Sequence, residues 1–484
     1  VLPERNSSIR HALERLLVAI IATAATTGLA ALSPMPFAQA APATATVATT
    51  APTGLTEQDV TFSSGDLTLH GTVIAPADTS DTRRPGMVMV HGSGRVSREG
   101  YREEAESFAR SGIVTLIYDK RPKQSKSDVD FTLLADDALA GLRALRANAG
   151  VDPARTGLWG VSEGGWVAPL AASKSPDVAF VVTVGAPGVS PERQQSWNLA
   201  NRLAAAGVSG SLVDTVSRTT LGLLVGAGLF PESGYDPAPV LERINRPVLG
   251  LWGDLDRVIP GAESMRTFQE AFDRAGNSHY TLRAVPGADH TMRRSPDGYQ
   301  KSDEISPAYL EQVASWVDGL AAGPPAASAG APSQQERQST PVEPGSPRVQ
   351  VAAFVVLLSA FAAYGLSAPA QRLRGRRGVP PVRRPARWLA TTGLLSVAGL
   401  LGYLGYLASS GAKNLGPVVL GRPVPWLVLQ FLALGVVAAT VATAVVSWRA
   451  RSDLSGVHRV RLGLLVAGGV VFVPWALHWG LLLP

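Results

Sequence analysis

The sequence predicts an α/β domain on a doubly wound, mostly parallel sheet, followed by an all-α membrane domain. Three observations predict it. Between residues 57 and 322, short β-rich runs alternate with helical stretches, the pattern of successive right-handed βαβ crossovers. Several of those runs are almost wholly apolar, such as Met87-Val88-Met89-Val90 and Phe180-Val181-Val182-Thr183-Val184, as strands covered on both faces require. Beyond residue 349, four apolar runs of roughly 20 residues or more follow, each long enough to cross about 30 Å of hydrocarbon.

Composition agrees. Of 484 residues, 46% are hydrophobic and only 17% charged, which is too apolar for a disordered chain and poor in charge for a soluble one. The absence of cysteine excludes a disulfide scaffold, a Cys-ligated zinc site, an iron–sulfur cluster and a thiol nucleophile. The net charge of +6 hides an asymmetry: residues 349–484 hold 13 of the 44 Lys+Arg and one acid (Asp453), a local +12, while the other 31 bases and 37 acids give −6. That basic surplus lies in short loops between apolar runs, which points to membrane orientation and away from nucleic acid.

In chain order, residues 1–40 read as a signal peptide or an N-terminal anchor. Arg10 and Arg15 precede an apolar run from Leu16 to Leu32, and Ala38-Gln39-Ala40 offers a small-residue cleavage site. Either reading carries the next segment out of the cytoplasm. Residues 41–56, rich in Ala, Pro and Thr, form a disordered leader. In the α/β domain, strands are expected at 58–63, 67–74, 86–91, 113–118, 156–161, 178–185, 247–252 and 280–285. Helices are expected at 99–112, 131–149, 163–174, 261–275 and 305–321. Residues 323–348 form a Pro/Ala/Ser-rich linker without periodicity. The spans are expected at 349–369, 388–410, 425–448 and 462–483. Seven arginines from Arg372 to Arg387 separate spans one and two, four from Arg449 to Arg461 separate three and four, and only Lys413 and Arg422 lie between two and three. The positive-inside rule therefore puts the first and last loops in the cytoplasm and the α/β domain outside. His478 near Trp475 and Trp479 reads as part of an interfacial belt.

The sharpest chemical signal is Gly160-Val161-Ser162-Glu163-Gly164-Gly165, between a strand and a helix. A serine at such a turn is held in a strained conformation, and the helix N-terminus points N–H groups at it. A serine nucleophile needs a base. Of His70, His91, His279 and His290, the last lies in Gly287-Ala288-Asp289-His290, after a late strand at the edge where sites in such sheets form. His91 is expected to shape its loop, His70 to be structural and His279 to be a surface residue. The base needs a carboxylate to hold its tautomer. Asp256, in the turn after the strand ending near Trp252, is the expected partner, with Asp254 and Asp289 as rivals. The order Ser162, Asp256, His290 is the one expected for this architecture. For an oxyanion hole we assign the backbone N–H groups of Ser93, in His91-Gly92-Ser93-Gly94, and of Glu163, whose side chain reads as solvent-facing.

With these motifs, Tyr118-Asp119-Lys120-Arg121 and Gly253–Pro260, the chain resembles the α/β-hydrolase superfamily over residues 57–322. More narrowly it resembles bacterial serine esterases and acyl hydrolases near dienelactone hydrolase and prolyl-oligopeptidase-type catalytic domains. One departure stands out: relatives continue Tyr-Asp-x-Arg with glycines, and here Arg121-Pro122-Lys123-Gln124-Ser125 follows. The resemblance implies that the insertion at about 187–246 is a helical lid, with Leu221, Leu223, Leu224, Leu229 and Phe230 lining an acyl pocket or packing as a cap core. It implies a membrane-tethered serine hydrolase acting on small-molecule or lipid-like esters. The alternatives are a thioesterase or peptidase of the same fold, or a catalytically silent binding domain in a membrane complex. No metal-ligand cluster, P-loop or dinucleotide fingerprint is found, so no metal, cofactor or nucleic acid is expected. Membrane lipid is an expected partner.

Overall fold

The computed structural model describes residues 54–77, 82–94, 97–122, 129–300, 302–331, 337–373, 380–410, 412 and 414–484. The expected signal segment and leader up to residue 53, and Lys123–Ser125, lie outside the described residues. The described residues divide into two compact units: a sheet unit within 54–198 and 230–341, and a helical unit that joins 199–229 to 342–484.

The sheet unit carries nine strands: β1 (Leu55–Ser64), β2 (Leu67–Pro76), β3 (Arg84–Val90), β4 (Val114–Tyr118), β5 (Val151–Val161), β6 (Val181–Val184), β7 (Val248–Gly253), β8 (Tyr280–Val285) and β9 (Ser328–Ala329). Their spatial order is β1-β2-β4-β3-β5-β6-β7-β8-β9. The β1–β2 and β2–β4 pairs are antiparallel and all others parallel. Helices α1 (Arg102–Arg110), α2 (Phe131–Arg146), α3 (Gly164–Lys174), α5 (Gly261–Ala275) and α6 (Pro307–Gly319) return the chain between strands or cover the sheet. Helix α4 (Pro191–Ala205) is the first helix of the insertion that follows β6. The apolar runs explain the layering. Met87, Val88, Met89 and Val90 are all buried, with Val88 and Val90 in one core cluster and Met87 and Met89 in the other, so alternate residues of β3 feed opposite faces. The connection from β4 to β5 steps over β3, so the strand order reverses there, the switch point at whose carboxyl edge sites in such sheets form.

Two elements depart from the sequence reading. Leu55 and Thr56, expected as the end of the disordered leader over 41–56, instead pair with Pro76 and Ala75 in β1 and β2. The segment after residue 323 is expected to be a structureless linker, yet Ser328–Ala329 pairs with Thr281–Leu282 of β8. Further on, Ser339 bonds to Arg193 and Glu263, and the Arg337 carbonyl accepts from Trp197 Nε1 at 2.8 Å. Backbone pairing needs no apolar pattern, so the sequence carries no signal for it.

The helical unit holds α7 (Pro347–Leu373), α8 (Pro380–Ser409), α9 (Val424–Arg449) and α10 (Gly456–His478). Among the described residues four segments are long and apolar enough to cross a membrane: Pro347–Ser367, Val382–Ala408, Val424–Arg449 and Gly456–His478. Each helix packs on its neighbours in sequence, and α7 closes against α10. Phe361, Leu389, Trp426, Leu465 and Phe472 fill the centre, while Leu366, Phe431 and Leu464 point outward. His478 is exposed beside Trp479. Residues 199–229 belong to this unit: Leu203, Val208, Leu212 and Val216 are buried in the same cluster as the bundle. The Ser211 N–H donates to the Pro484 carbonyl (3.0 Å), Thr215 Oγ1 to that of Trp479 (3.0 Å), and the Ser209 N–H to that of Gly421 (2.8 Å).

Candidate active site

β5 runs into Ser162, which has φ 55°, a left-handed conformation that a residue with a Cβ adopts only where the surroundings enforce it. The Ser162 N–H donates to the Val184 carbonyl at 2.9 Å, and its carbonyl accepts from Gly165 N–H at 2.8 Å. The flanking glycines follow from contact distances. A Cβ at Gly160 would meet the Gly164 carbonyl oxygen at 2.1 Å, one at Gly164 the Val90 oxygen at 2.5 Å, and one at Gly165 the Ala186 Cβ at 2.5 Å. Helix α3 can start this close to the strand ends only without those side chains.

His290 lies in the loop after β8. Asp289 folds that loop: its Oδ1 accepts from Thr291 N–H (2.7 Å), Thr291 Oγ1 (2.9 Å) and Arg293 N–H (3.0 Å). Asp256 lies after β7 and uses its two oxygens differently. Oδ1 accepts from the Val258 and Ile259 N–H groups at 2.8 and 2.9 Å, while Oδ2 lies 2.8 Å from His290 Nδ1. The Asp256 side chain is 2% exposed and the His290 ring 13%. Asp254 spends its backbone N–H on the Val285 carbonyl, and its buried Oδ1 has no partner among the described residues. Asp256 is thus the carboxylate that meets the imidazole. Ser162 and His290 converge at the end of β6: Val184 receives the Ser162 N–H, and a Cβ on the next residue, Gly185, would lie 2.9 Å from His290 Nδ1.

The loop after β3 sits against the serine. A Cβ on Gly92 would be 3.4 Å from Ser162 Cβ. Ser93 follows, exposed. Among the described residues no protein acceptor receives the N–H of Ser93 or of Glu163. His91 is buried between the rings of Tyr101 and Tyr118, and its Nε2 bonds to the Tyr118 carbonyl. Burial pushes the Tyr118 hydroxyl well above the usual tyrosine range, and the nearby Asp137 adds to it. The Gly92 N–H donates to Tyr101 Oη at 2.9 Å. His70 is exposed on β2, and His279, at the opposite end of β8, bonds to the Pro325 carbonyl.

One expectation is corrected here. The Glu163 side chain is buried, not solvent-facing: it forms an ion pair with Lys120, whose Nζ also donates to the Gly92 carbonyl at 3.1 Å. Lys120 therefore ties the loop after β3 to the turn that carries Ser162. In the sequence Lys120 stands within Tyr118-Asp119-Lys120-Arg121 with nothing to mark a role. For Tyr101 and Gly185 the sequence carries no distinguishing signal.

Residues 132–320 match the prolyl oligopeptidase family. A thiohydrolase of Aspergillus aculeatus, AneE, is 32% identical over 105 residues, covering 21% of this chain and 33% of that protein. The quorum-quenching protein AidA of Acinetobacter baumannii is 28% identical over 130 residues, covering 26% and 42%. The matches thus span about a third to two fifths of these relatives. A putative dienelactone hydrolase of Klebsiella pneumoniae, of known structure, aligns over 55% of this chain and 97% of its own, at 18% identity and a TM-score of 0.38.

Proposed function

We propose that this chain, a member of the α/β-hydrolase superfamily, is a serine hydrolase that cleaves carboxylic esters and is held in a membrane by its four C-terminal helices. The observation that carries the reading is the His290–Asp256 pair at 2.8 Å, set beside a serine in the left-handed conformation. Ser162 Oγ attacks the acyl carbonyl carbon while His290 takes its proton. The tetrahedral oxyanion accepts hydrogen bonds from the Ser93 and Glu163 N–H groups. The carbon–oxygen bond of the ester breaks, His290 gives its proton to the leaving alkoxide, and the acyl group stays on Ser162. A water, deprotonated by His290, then adds to the acyl carbon; the bond to Ser162 Oγ breaks, His290 returns the proton to that oxygen, and the acid leaves. Asp256 keeps Nδ1 protonated and stabilises the imidazolium.

Thioester cleavage is the second reading, favoured by the similarity to a protein named as a thiohydrolase. It uses the same acyl-enzyme with a thiolate leaving group. A peptide substrate is the reading the family match suggests. Loop charge supports a hydrolase domain on the extracytoplasmic side of the cytoplasmic membrane, with the arginine-rich loops inside.

The test uses the full chain in mild detergent. A fluorophosphonate probe is expected to label Ser162, with labelling lost in Ser162→Ala and His290→Ala. Turnover across 4-nitrophenyl esters from acetate to palmitate is expected to disappear in the same variants. A folded protein that the probe leaves unlabelled would end the serine-hydrolase reading.

A further inference from the structure

The helical unit has an open groove of about 730 Å³ between α8 and α9, lined almost wholly by apolar groups. Pro385, Trp388 and Thr392 form its α8 wall, and Val428, Gly435 and Ala442 lie along α9. The α9 residues recur every seventh position, so they make one stripe about 21 Å long. Trp388 and Phe431 are 65% and 71% exposed, so the groove opens to the surroundings of the bundle. Gly435 keeps it wide: a Cβ there would find only Thr392 Cγ2, at 3.8 Å.

One end of this groove is cationic. Arg384 is exposed one turn before Trp388 on the same face of α8. Across the helix pair Gly435 faces Thr392 and Gly399 faces Leu429, which sets Arg384 level with the turn of α9 just past Ala442. Arg449 continues the stripe of Val428, Gly435 and Ala442, two turns beyond the last of these. Among the described residues neither arginine has a carboxylate partner, and Asp453 is the single acid in residues 349–484. Trp388 and Trp448 stand exposed near the same end, as aromatic side chains do at a membrane interface.

The geometry points to a binding site for one anionic phospholipid, its acyl chain in the α8–α9 groove and its phosphate against Arg384 and Arg449. An apolar trough with a cationic end matches the amphiphile in both chemistry and order along the helix. The inference rests on the membrane-spanning reading of the four helices and is independent of the hydrolase chemistry.

The full chain, delipidated in detergent, is titrated with phosphatidylglycerol and with phosphatidylcholine bearing identical chains, and bound lipid is counted by native mass spectrometry. One phosphatidylglycerol is expected to be retained at about 30-fold lower concentration, equivalent to about 1 kcal/mol from each of two guanidiniums. R384Q/R449Q should abolish that preference with the bundle intact, since both side chains are exposed. Gly435→Leu, which fills the groove, should weaken both lipids alike. Equal retention of the two lipids by the unaltered chain, a preference that survives R384Q/R449Q, or a dimer that occludes the groove overturns the site. Release of the chain from membranes by alkaline carbonate would instead overturn the spanning reading beneath it.

Discussion

The buried ion pair between Lys120 and Glu163, the residue next to Ser162 in the chain, ties the serine's turn to the loop after β3. The Lys120 and Glu163 side chains are 3% and 8% exposed, so neither charge has bulk water to fall back on. Substituting one partner leaves the other buried and uncompensated, which costs about 3–5 kcal/mol. For a domain of this size each kcal/mol lowers the unfolding temperature by about 2–4 °C, so Lys120→Met or Glu163→Gln alone should lose about 6–20 °C. The double variant removes both charges, and most of that loss should return, because a buried pair replaced by neutral groups is close to neutral in stability.

Activity should behave differently. Lys120 Nζ also holds the Gly92 carbonyl at 3.1 Å, one residue before the proposed oxyanion donor at Ser93. The double variant lacks that anchor. Complete loss of one oxyanion donor costs about 10²–10³ in kcat, and a displaced donor should cost about 10–100-fold, with KM little changed. The assay is thermal unfolding of the full chain in detergent alongside kcat and KM on a short-chain ester, for wild type, both single variants and the double. Additive stability losses would refute the buried-pair argument. A double variant that recovers stability and full kcat would refute the positioning role.

Other expectations follow from single contacts. Gly185→Ala places a Cβ 2.9 Å from His290 Nδ1 at a residue with φ +54°, so kcat should fall at least tenfold while the fold persists; wild-type kcat in this variant would show that the ring has room to move. Glu232 accepts from the Phe131 N–H at 2.9 Å, and burial raises its carboxyl above the usual range. The folded state then holds that proton more tightly than the unfolded chain, so its contribution is present at low pH and falls as pH rises through the raised value. Denaturation of wild type and Glu232→Gln at several pH values should show the variant gaining on wild type across that window, and a constant difference would contradict it. Truncation after residue 322 uncovers Leu203, Leu212 and Val216, which are buried in the bundle's cluster. At about 1.5–3 kcal/mol per buried side chain, that fragment should aggregate without detergent, and a monodisperse, detergent-free fragment would show that these residues find other cover.

The parts of this architecture legible in the sequence are those where physics leaves few options. β3 and β6 are read from apolar runs, because a strand buried on both faces cannot alternate. The serine turn is read because each flanking glycine answers to a backbone or side-chain atom within about 2.5 Å. His290 is read from its place after a late strand, but choosing Asp256 over Asp254 depends on which carboxylate the turn aims at the ring, and no local pattern records that. The Lys120–Glu163 pair joins residues 43 apart and buries charges that composition would place in water, so neither residue announces the other.

The insertion shows the deeper reason for what stayed hidden. Its apolar residues read equally as the lining of a lid or as a cap core, because an amphipathic pattern says that a face must be covered and nothing about the cover. In the structure Leu203, Val208, Leu212 and Val216 are covered by the helical bundle, and Ser211 Oγ bonds to a carbonyl 272 residues away. The same indifference holds for the four long apolar helices. Their hydropathy requires an apolar environment on every side, and only the packed helices show which faces meet one another, such as Gly393 against the Phe361 ring. The faces left over, such as the α8–α9 groove, are those where the environment itself must supply the partner.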